Sequence, residues 1–370
     1  MNIAAICFSK YQLINIINYI KKYNINDNKI DLFIDYRVLS NDEISRLKEL
    51  NKFTNIILYK DFEKPFILKK IFFRIKGIIN PLFTIKQLLI YKGDFAKVSE
   101  SYDECIFSFQ FMLSIALCFI TNRNNIHMIE DGAVSYFSYN VEDRFVTNLF
   151  YAVLCRSLKK INPKRLYVNN KSLVVDEVAT KFIEVLNLDV IDDVLFKELC
   201  YLFSFDLNMA ENYNAYKIIY FNQPNDFKIK DYYLVEDRIC CMLHKYRHSL
   251  YRLHPRNRNK SFYYDNLQID SATNMWDLSS KCISNDILLI SSFSTSLFSP
   301  KLLFGKEPYL IFTFCLYNNF FKDKNIINNL FSFIDRFKNS YHDKSKICII
   351  SDYNELSSII NKFYSNIDLS

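Results

Sequence analysis

The stretch NIAAICFSKYQLINIINYIKKY, residues 2–23, decides how this chain is read. Met1 to Phe8 is a short apolar run of the kind that forms a buried strand. YQLINIINYIKKY then spaces its apolar residues at helical intervals, the pattern of an amphipathic helix. Further strands are predicted at Ile30 to Asp35 and Thr54 to Tyr59. Strand, crossover helix, strand is the signature of a parallel α/β sheet. Strands at Glu104 to Phe109 and His127 to Glu130 continue it. Phe62 to Tyr91 reads as helical, basic and aromatic, and a second helical stretch runs from about Val141 to Leu158.

The pattern lapses into polar MAENYNAY at residues 209–216, and KIIYFNQP then begins a new strand as a second α/β domain would. That domain is expected to hold a helix near Leu234 to Arg247, a strand ending at Leu253, and strands at Asp286 to Ser291 and Pro308 to Phe312. KICIIS follows near the end. The predicted organisation is a first domain over 1–210, a second over 217–352, and a C-terminal helix over 353–370. Two Rossmann-like domains facing a central cleft would place a ligand at the carboxyl ends of their strands.

Composition agrees with a packed, folded chain. Of 370 residues half are hydrophobic and four are Gly, and the net charge of +7 is a modest basic bias. That bias suits a polyanionic or membrane-surface partner but does not by itself indicate nucleic acid. The ten cysteines are scattered through apolar runs without a disulfide framework, which points to a reducing compartment. Met1 to Phe8 does not read as a signal peptide, and no apolar run is long enough to span a bilayer.

Four short segments at predicted strand ends carry candidate chemistry. Glu130-Asp131-Gly132 is either a solvated turn or a carboxylate placed to deprotonate a hydroxyl. Asn222-Gln223-Pro224-Asn225-Asp226 ends a strand at Pro224 and leaves Asp226 as a turn cap or a second candidate carboxylate. Arg252-Leu253-His254-Pro255-Arg256 sets a histidine between arginines, either a structural residue or an anion-binding setting in which imidazolium can donate to a phosphate. Ser294, Thr295 and Ser296 stand at a strand-to-helix junction, where hydroxyls cap the helix or bind phosphate at its N-terminus. Cys240, Cys241, His244 and His248 suggest a metal, but four ligands from one straight helix cannot surround an ion tetrahedrally. Neither a Gly-rich phosphate loop nor an Asp-x-Asp pair occurs.

The order of these segments resembles the bacterial sialyltransferases, and most of all glycosyltransferase family 52, the lipooligosaccharide sialyltransferases. The resemblance rests on KIIYFNQPND, YRLHPRN, Phe293 to Leu297 and Gly305 to Leu310, with a thinner likeness around Glu130. It implies a GT-B fold and a metal-independent, inverting transfer of sialic acid from CMP-sialic acid to an oligosaccharide or glycolipid, with no cofactor. It implies that His254 is the general acid toward the departing phosphate and that Ser294, Thr295 and Ser296 hold that phosphate. Family 52 points to Asp226 as the base, although Asn225 sets it one position late; the other bacterial families point to Asp131 or Glu130. Gly132, Gln223, Pro255, Arg256 and Glu307 fall at further substrate-binding positions. The resemblance also implies a cytoplasmic enzyme that builds surface glycans such as lipopolysaccharide, O-antigen or capsule. It would be peripheral at the inner membrane and able to form homodimers. Phe66 to Tyr91, with Lys69, Lys70, Arg74, Lys76 and Lys86, offers either an anionic-lipid contact or an ordinary amphipathic helix. A GT-B transferase using UDP-glucose or CMP-Kdo, and a non-catalytic glycan-binding protein, are the competing readings.

Overall fold

The apolar opening of the chain forms β1 (Asn2–Cys7), buried along almost its whole length, and α1 (Lys10–Lys22) follows it. The structure is a computed structural model that describes residues 1–25, 28–60, 80–108, 112–122, 125–138, 163–224, 229, 231–254, 268–270, 274–317 and 323–367. It divides into two compact units, Met1–Ser204 and Phe205–Ser370.

In the first unit β1 is joined by β2 (Lys29–Asp35), β3 (Asn55–Tyr59), β4 (Glu104–Phe107), β5 (Ile126–Ile129), β6 (Arg165–Val168) and β7 (Glu184–Asn187). The order is β3-β2-β1-β4-β5-β6-β7, and every pairing is parallel. Its longer helices are α1, α2 (Asn41–Glu49) and α3 (Asp193–Phe203). In the second unit β8 (Ile218–Phe221), β9 (Ser249–Arg252), β10 (Gln268–Asp270), β11 (Leu288–Ser291), β12 (Tyr309–Phe312) and β13 (Ile347–Ile349) form a sheet ordered β10-β9-β8-β11-β12-β13, again wholly parallel. Its longer helices are α4 (Tyr232–Leu243), α5 (Thr295–Phe304), α6 (Lys324–Asn339) and α7 (Tyr353–Ile367). The expected parallel α/β architecture is therefore present in both units. The helix expected over Val141 to Leu158, and all of the basic stretch before Asn80, lie outside the described residues. No helix among the described residues is long and apolar enough to cross a membrane.

α1 is enclosed more fully than its amphipathic pattern suggests: every residue from Tyr11 to Ile20 is buried. Its polar residues are accepted in the interior because each has a partner, as buried amides require. Gln12 accepts from the Phe8 N–H at 2.6 Å, Asn15 donates to the Glu130 carbonyl at 3.2 Å, and Asn18 donates to the Asp189 carbonyl at 2.6 Å. The chain after β7 closes over the helix, with Asp189 and Asp192 paired to Lys22 and Lys21.

His127 on β5 is likewise enclosed, only 2% exposed, with Nδ1 lacking a hydrogen-bond partner. Burial, helped by the nearby Arg165 charge, lowers its pKa from 6.5 to about 4. The unfolded chain therefore takes up this proton first as pH falls. Stability from the neutral ring is full above the unfolded value and is lost between about pH 6.5 and 4. Urea titrations at about pH 7.5 and 4.5 are expected to show a loss attributable to His127 of about 2–3 kcal/mol, and that pH-dependent part should vanish in His127→Phe.

Candidate functional site

In a parallel sheet every strand leaves at the same edge, so each unit gathers its post-strand residues together. The strand order reverses between β1 and β4 in the first unit and between β8 and β11 in the second.

In the first unit β5 runs directly into Glu130 and Asp131, and Gly132 then turns the chain with a φ of 100°, a conformation open to glycine. The two acids have opposite fates. Glu130 is completely buried. Its Oε1 accepts from the Tyr11 hydroxyl, and its Oε2 accepts from the Tyr136 hydroxyl, the Asn169 N–H at 2.8 Å and Asn169 Nδ2 at 3.0 Å. Burial pushes its carboxyl pKa up, against the pull of these donors. Asp131 is partly exposed, its N–H donates to Ser135 Oγ at 2.9 Å, and its Oδ1 accepts from Gln12 Nε2. Burial raises its pKa to about 6, with the Gln12 hydrogen bond opposing. A reachable carboxylate tuned in this way can serve as a base near neutrality. Glu130 instead anchors the turn that presents it, and the expectation that it serves as a base is corrected accordingly: all its acceptor capacity faces inward.

In the second unit β8 ends at Phe221, and Asn222, Gln223 and Pro224 form its exit. The Asn222 N–H donates to the Arg252 carbonyl at 3.0 Å, and the Tyr232 hydroxyl donates to the Gln223 carbonyl at 2.5 Å. Asn225 and Asp226 lie outside the described residues, as do Pro255 and Arg256. On the neighbouring strand, His254 is half-buried two residues past β9. Arg252 is not available to an anion: it is 5% exposed, paired to Asp270 and bonded to the Tyr213 hydroxyl and the Asn274 carbonyl. Its guanidinium lies over the Tyr213 and Trp276 rings. Its expected role in binding phosphate is thus replaced by a structural one.

On the other side of β8, the β11 exit leads into α5. Ser294 is the N-cap, its Oγ accepting from the Ser296 N–H at 3.2 Å, and Thr295 and Ser296 open the first turn partly exposed. Pro300 sits inside this helix and cannot donate to the carbonyl of Ser296. Trp276 Nε1 supplies the missing donor at 2.8 Å, so the first turn is held although its ladder is broken. Ser292 and Thr313, at the adjacent β11 and β12 exits, are buried hydroxyls without a partner.

Glu307 is not brought to this edge. It precedes β12, at the opposite end of the sheet from Ser294, and binds Lys301 Nζ and the His342 N–H. The structure thus gathers Asn222, Gln223, His254 and Ser294 to Ser296 at one edge of the second unit. Among the described residues no cluster of His, Cys, Asp and Glu is suited to a metal ion, and Cys240 is buried while Cys241 is exposed.

No protein-family model matches the chain, and no curated protein matches it in sequence. Solved structures do match in fold. The chain resembles the glycotransferase of kitacinnamycin, with a TM-score of 0.54 at 9% identity over 94% of this chain and 86% of that one. It also resembles a putative UDP-N-acetylglucosamine 2-epimerase from Listeria monocytogenes, with a TM-score of 0.50 at 9% identity over 94% of this chain and 90% of that one. With two wholly parallel α/β units in this order, the fold is GT-B.

The two acids of the first edge should separate in a stability measurement. Glu130→Gln sets an amide donor among fixed donors and should cost about 1–3 kcal/mol. Asp131→Asn keeps an acceptor for Gln12 and should cost under about 1 kcal/mol. Chemical denaturation near pH 7.5 of both variants measures the difference.

Proposed function

We propose that this chain is a glycosyltransferase that moves sialic acid from CMP-sialic acid to a sugar acceptor of a surface glycan. The observation that supports the reading is that His254 and the N-terminus of α5, with its hydroxyls Ser294, Thr295 and Ser296, follow β9 and β11, the two strands that flank β8. His254 and the start of α5 follow strands two spacings apart, roughly 10 Å. A phosphate can be met there by helix N–H groups and hydroxyls on one side and an imidazole on the other. The GT-B fold is compatible with nucleotide-sugar chemistry, as the UDP-N-acetylglucosamine 2-epimerase from Listeria monocytogenes illustrates. The order of the motifs favours CMP-sialic acid over other donors.

In this reading His254 protonates the leaving phosphate as its charge develops, and the α5 N-terminus stabilises the same charge. The base is Asp131, favoured by its partial exposure and raised carboxyl pKa, or Asp226 from the resemblance. Gly132, Gln223, Pro255 and Arg256 complete the proposed binding set, and Glu307 takes no part in it. The acceptor, a cytoplasmic location peripheral to the inner membrane, and homodimer formation belong to the same reading.

Heat-shift and donor-hydrolysis measurements across CMP-sialic acid, CMP-Kdo and UDP-glucose test the donor. CMP-sialic acid should stabilise and turn over best; preference for UDP-glucose, or no nucleotide binding, would refute the sialyl reading. His254→Ala should lower turnover by about 100-fold or more while leaving the fold intact. With Asp131 as base, kcat/KM should fall as pH drops through about 6, where the carboxylate takes its proton. Asp131→Asn should then lose most activity at every pH, whereas a loss confined to Asp226→Asn would assign the base to Asp226.

A further inference from the structure

We infer that Glu236 is a positioning residue for the proposed transfer, gripping the exit of β8 where it opens onto the second unit's switch point. The inference rests on the transferase reading above.

Glu236 lies on α4 and is 2% exposed. Its Oε1 accepts from the Tyr220 hydroxyl and from the Tyr317 hydroxyl at 2.8 Å. Its Oε2 accepts from Asn222 Nδ2 at 3.0 Å and the Tyr251 hydroxyl at 3.2 Å. An ionised carboxylate offers about four acceptor positions, and four donors occupy them. None of the four is charged, and no salt bridge joins Glu236 to a cation among the described residues. Burial accordingly pushes its pKa up against the hydrogen bonds.

A carboxylate enclosed in this way is a poor choice for packing alone, since an apolar residue of similar volume is often neutral or better for stability. What it holds is informative. Three of the donors come from the body of the unit, on β8, on β9 and after β12. The fourth, Asn222, is the first residue past β8. One helical turn before Glu236, Tyr232 donates its hydroxyl to the Gln223 carbonyl. Residues four apart lie one above the other on a helix face, so α4 grips two consecutive residues of the exit turn. Gln223 Nε2 closes back on the Asn222 carbonyl at 3.1 Å, and Pro224 fixes the next φ. The arrangement parallels the first unit, where buried Glu130 takes neutral donors and fixes the turn presenting Asp131. Glu236 acts through Asn222 and Gln223, setting the direction in which the chain leaves β8.

The test reads position and chemistry separately. Glu236→Gln sets an amide donor against donors, and Asn222→Ala removes the grip while leaving the carboxylate with its three tyrosines. In donor hydrolysis each should lower kcat about 10- to 100-fold, as misplacement near 1 Å does, with KM for CMP-sialic acid within about threefold. The double variant Glu236→Gln/Asn222→Asp exchanges donor and acceptor and should recover kcat to within about fivefold. A Glu236→Gln protein with wild-type turnover overturns the inference, and so does a double variant no better than the singles. Should Glu236→Gln not fold, Asn222→Ala decides alone: wild-type kcat overturns the inference, and the kcat loss at constant KM upholds it. Should the wild type bind no nucleotide sugar, the transferase reading fails by itself. The NMR resonance of the Asn222 side-chain amide then decides the grip: a shift in Glu236→Gln supports it, and an unmoved resonance overturns it.

Discussion

Ile3 beside Glu104, and Leu288 beside Ile218, are the pairings on which the rest of the molecule depends. Each joins the first strand of its unit to a strand that arrives only after the sheet has grown the other way. A parallel strand can be followed only by a crossover, so all carboxyl ends collect at one edge. Because β1 and β8 have neighbours added on both sides, the segments leaving the two central strands diverge there. Ser9 and α1 in the first unit, and Ser294 and α5 in the second, start at these edges for that reason.

Much of this was legible in the sequence because it is local. β1, β2 and β3 are at least five residues long and rich in apolar side chains, and Ser294 before an apolar helix marks its own cap. β6, β7 and β10, three or four residues long and beginning on Arg165, Glu184 and Gln268, escaped the reading. Neighbouring strands, not their own pattern, make them strands. The site divides along the same line. Asp131 and His254 are visible as acid and imidazole after a strand. The opposite fates of Glu130 and Asp131 are not, since the donors around Glu130 come from Tyr11, Tyr136 and Asn169. Side-chain alternation past the end of β5 turns one acid inward and the next outward, but only the partners show which. Arg252 looked like an anion ligand beside His254 until Asp270, on the adjacent strand, took its charge. Glu307 was placed by resemblance, and α5 carries the chain the length of the sheet before β12 begins, leaving it at the opposite end from Ser296.

The second unit handles its buried charges in two ways, and the difference bears on the site. Arg252 is neutralised by Asp270 and enclosed by two aromatic faces, so its charge does not extend far from the β9 exit. Glu236 is held by neutral donors alone, so its charge, where present, is not cancelled locally. Negative potential beneath an edge proposed to receive a phosphate is unfavourable unless something answers it. The N-terminus of α5 does so, presenting the positive end of a helix dipole at the next exit.

The break in α5 sharpens that point. A proline six residues into a helix removes a rung of the ladder behind the first turn and would let that turn drift. Trp276 restores the rung from outside, and the same indole supports Arg252, which in turn receives the Asn222 N–H at its carbonyl. The N-terminus of α5 and the exit of β8 are therefore fixed to one another through Trp276 and Arg252. Arg252, which seemed to be a ligand by charge, acts instead as part of the frame, and among the described residues this edge carries neutral polar groups: amide N–H, serine and threonine hydroxyls, and an imidazole. Such groups stabilise charge as it develops, which is the demand of a departing phosphate more than of one already bound.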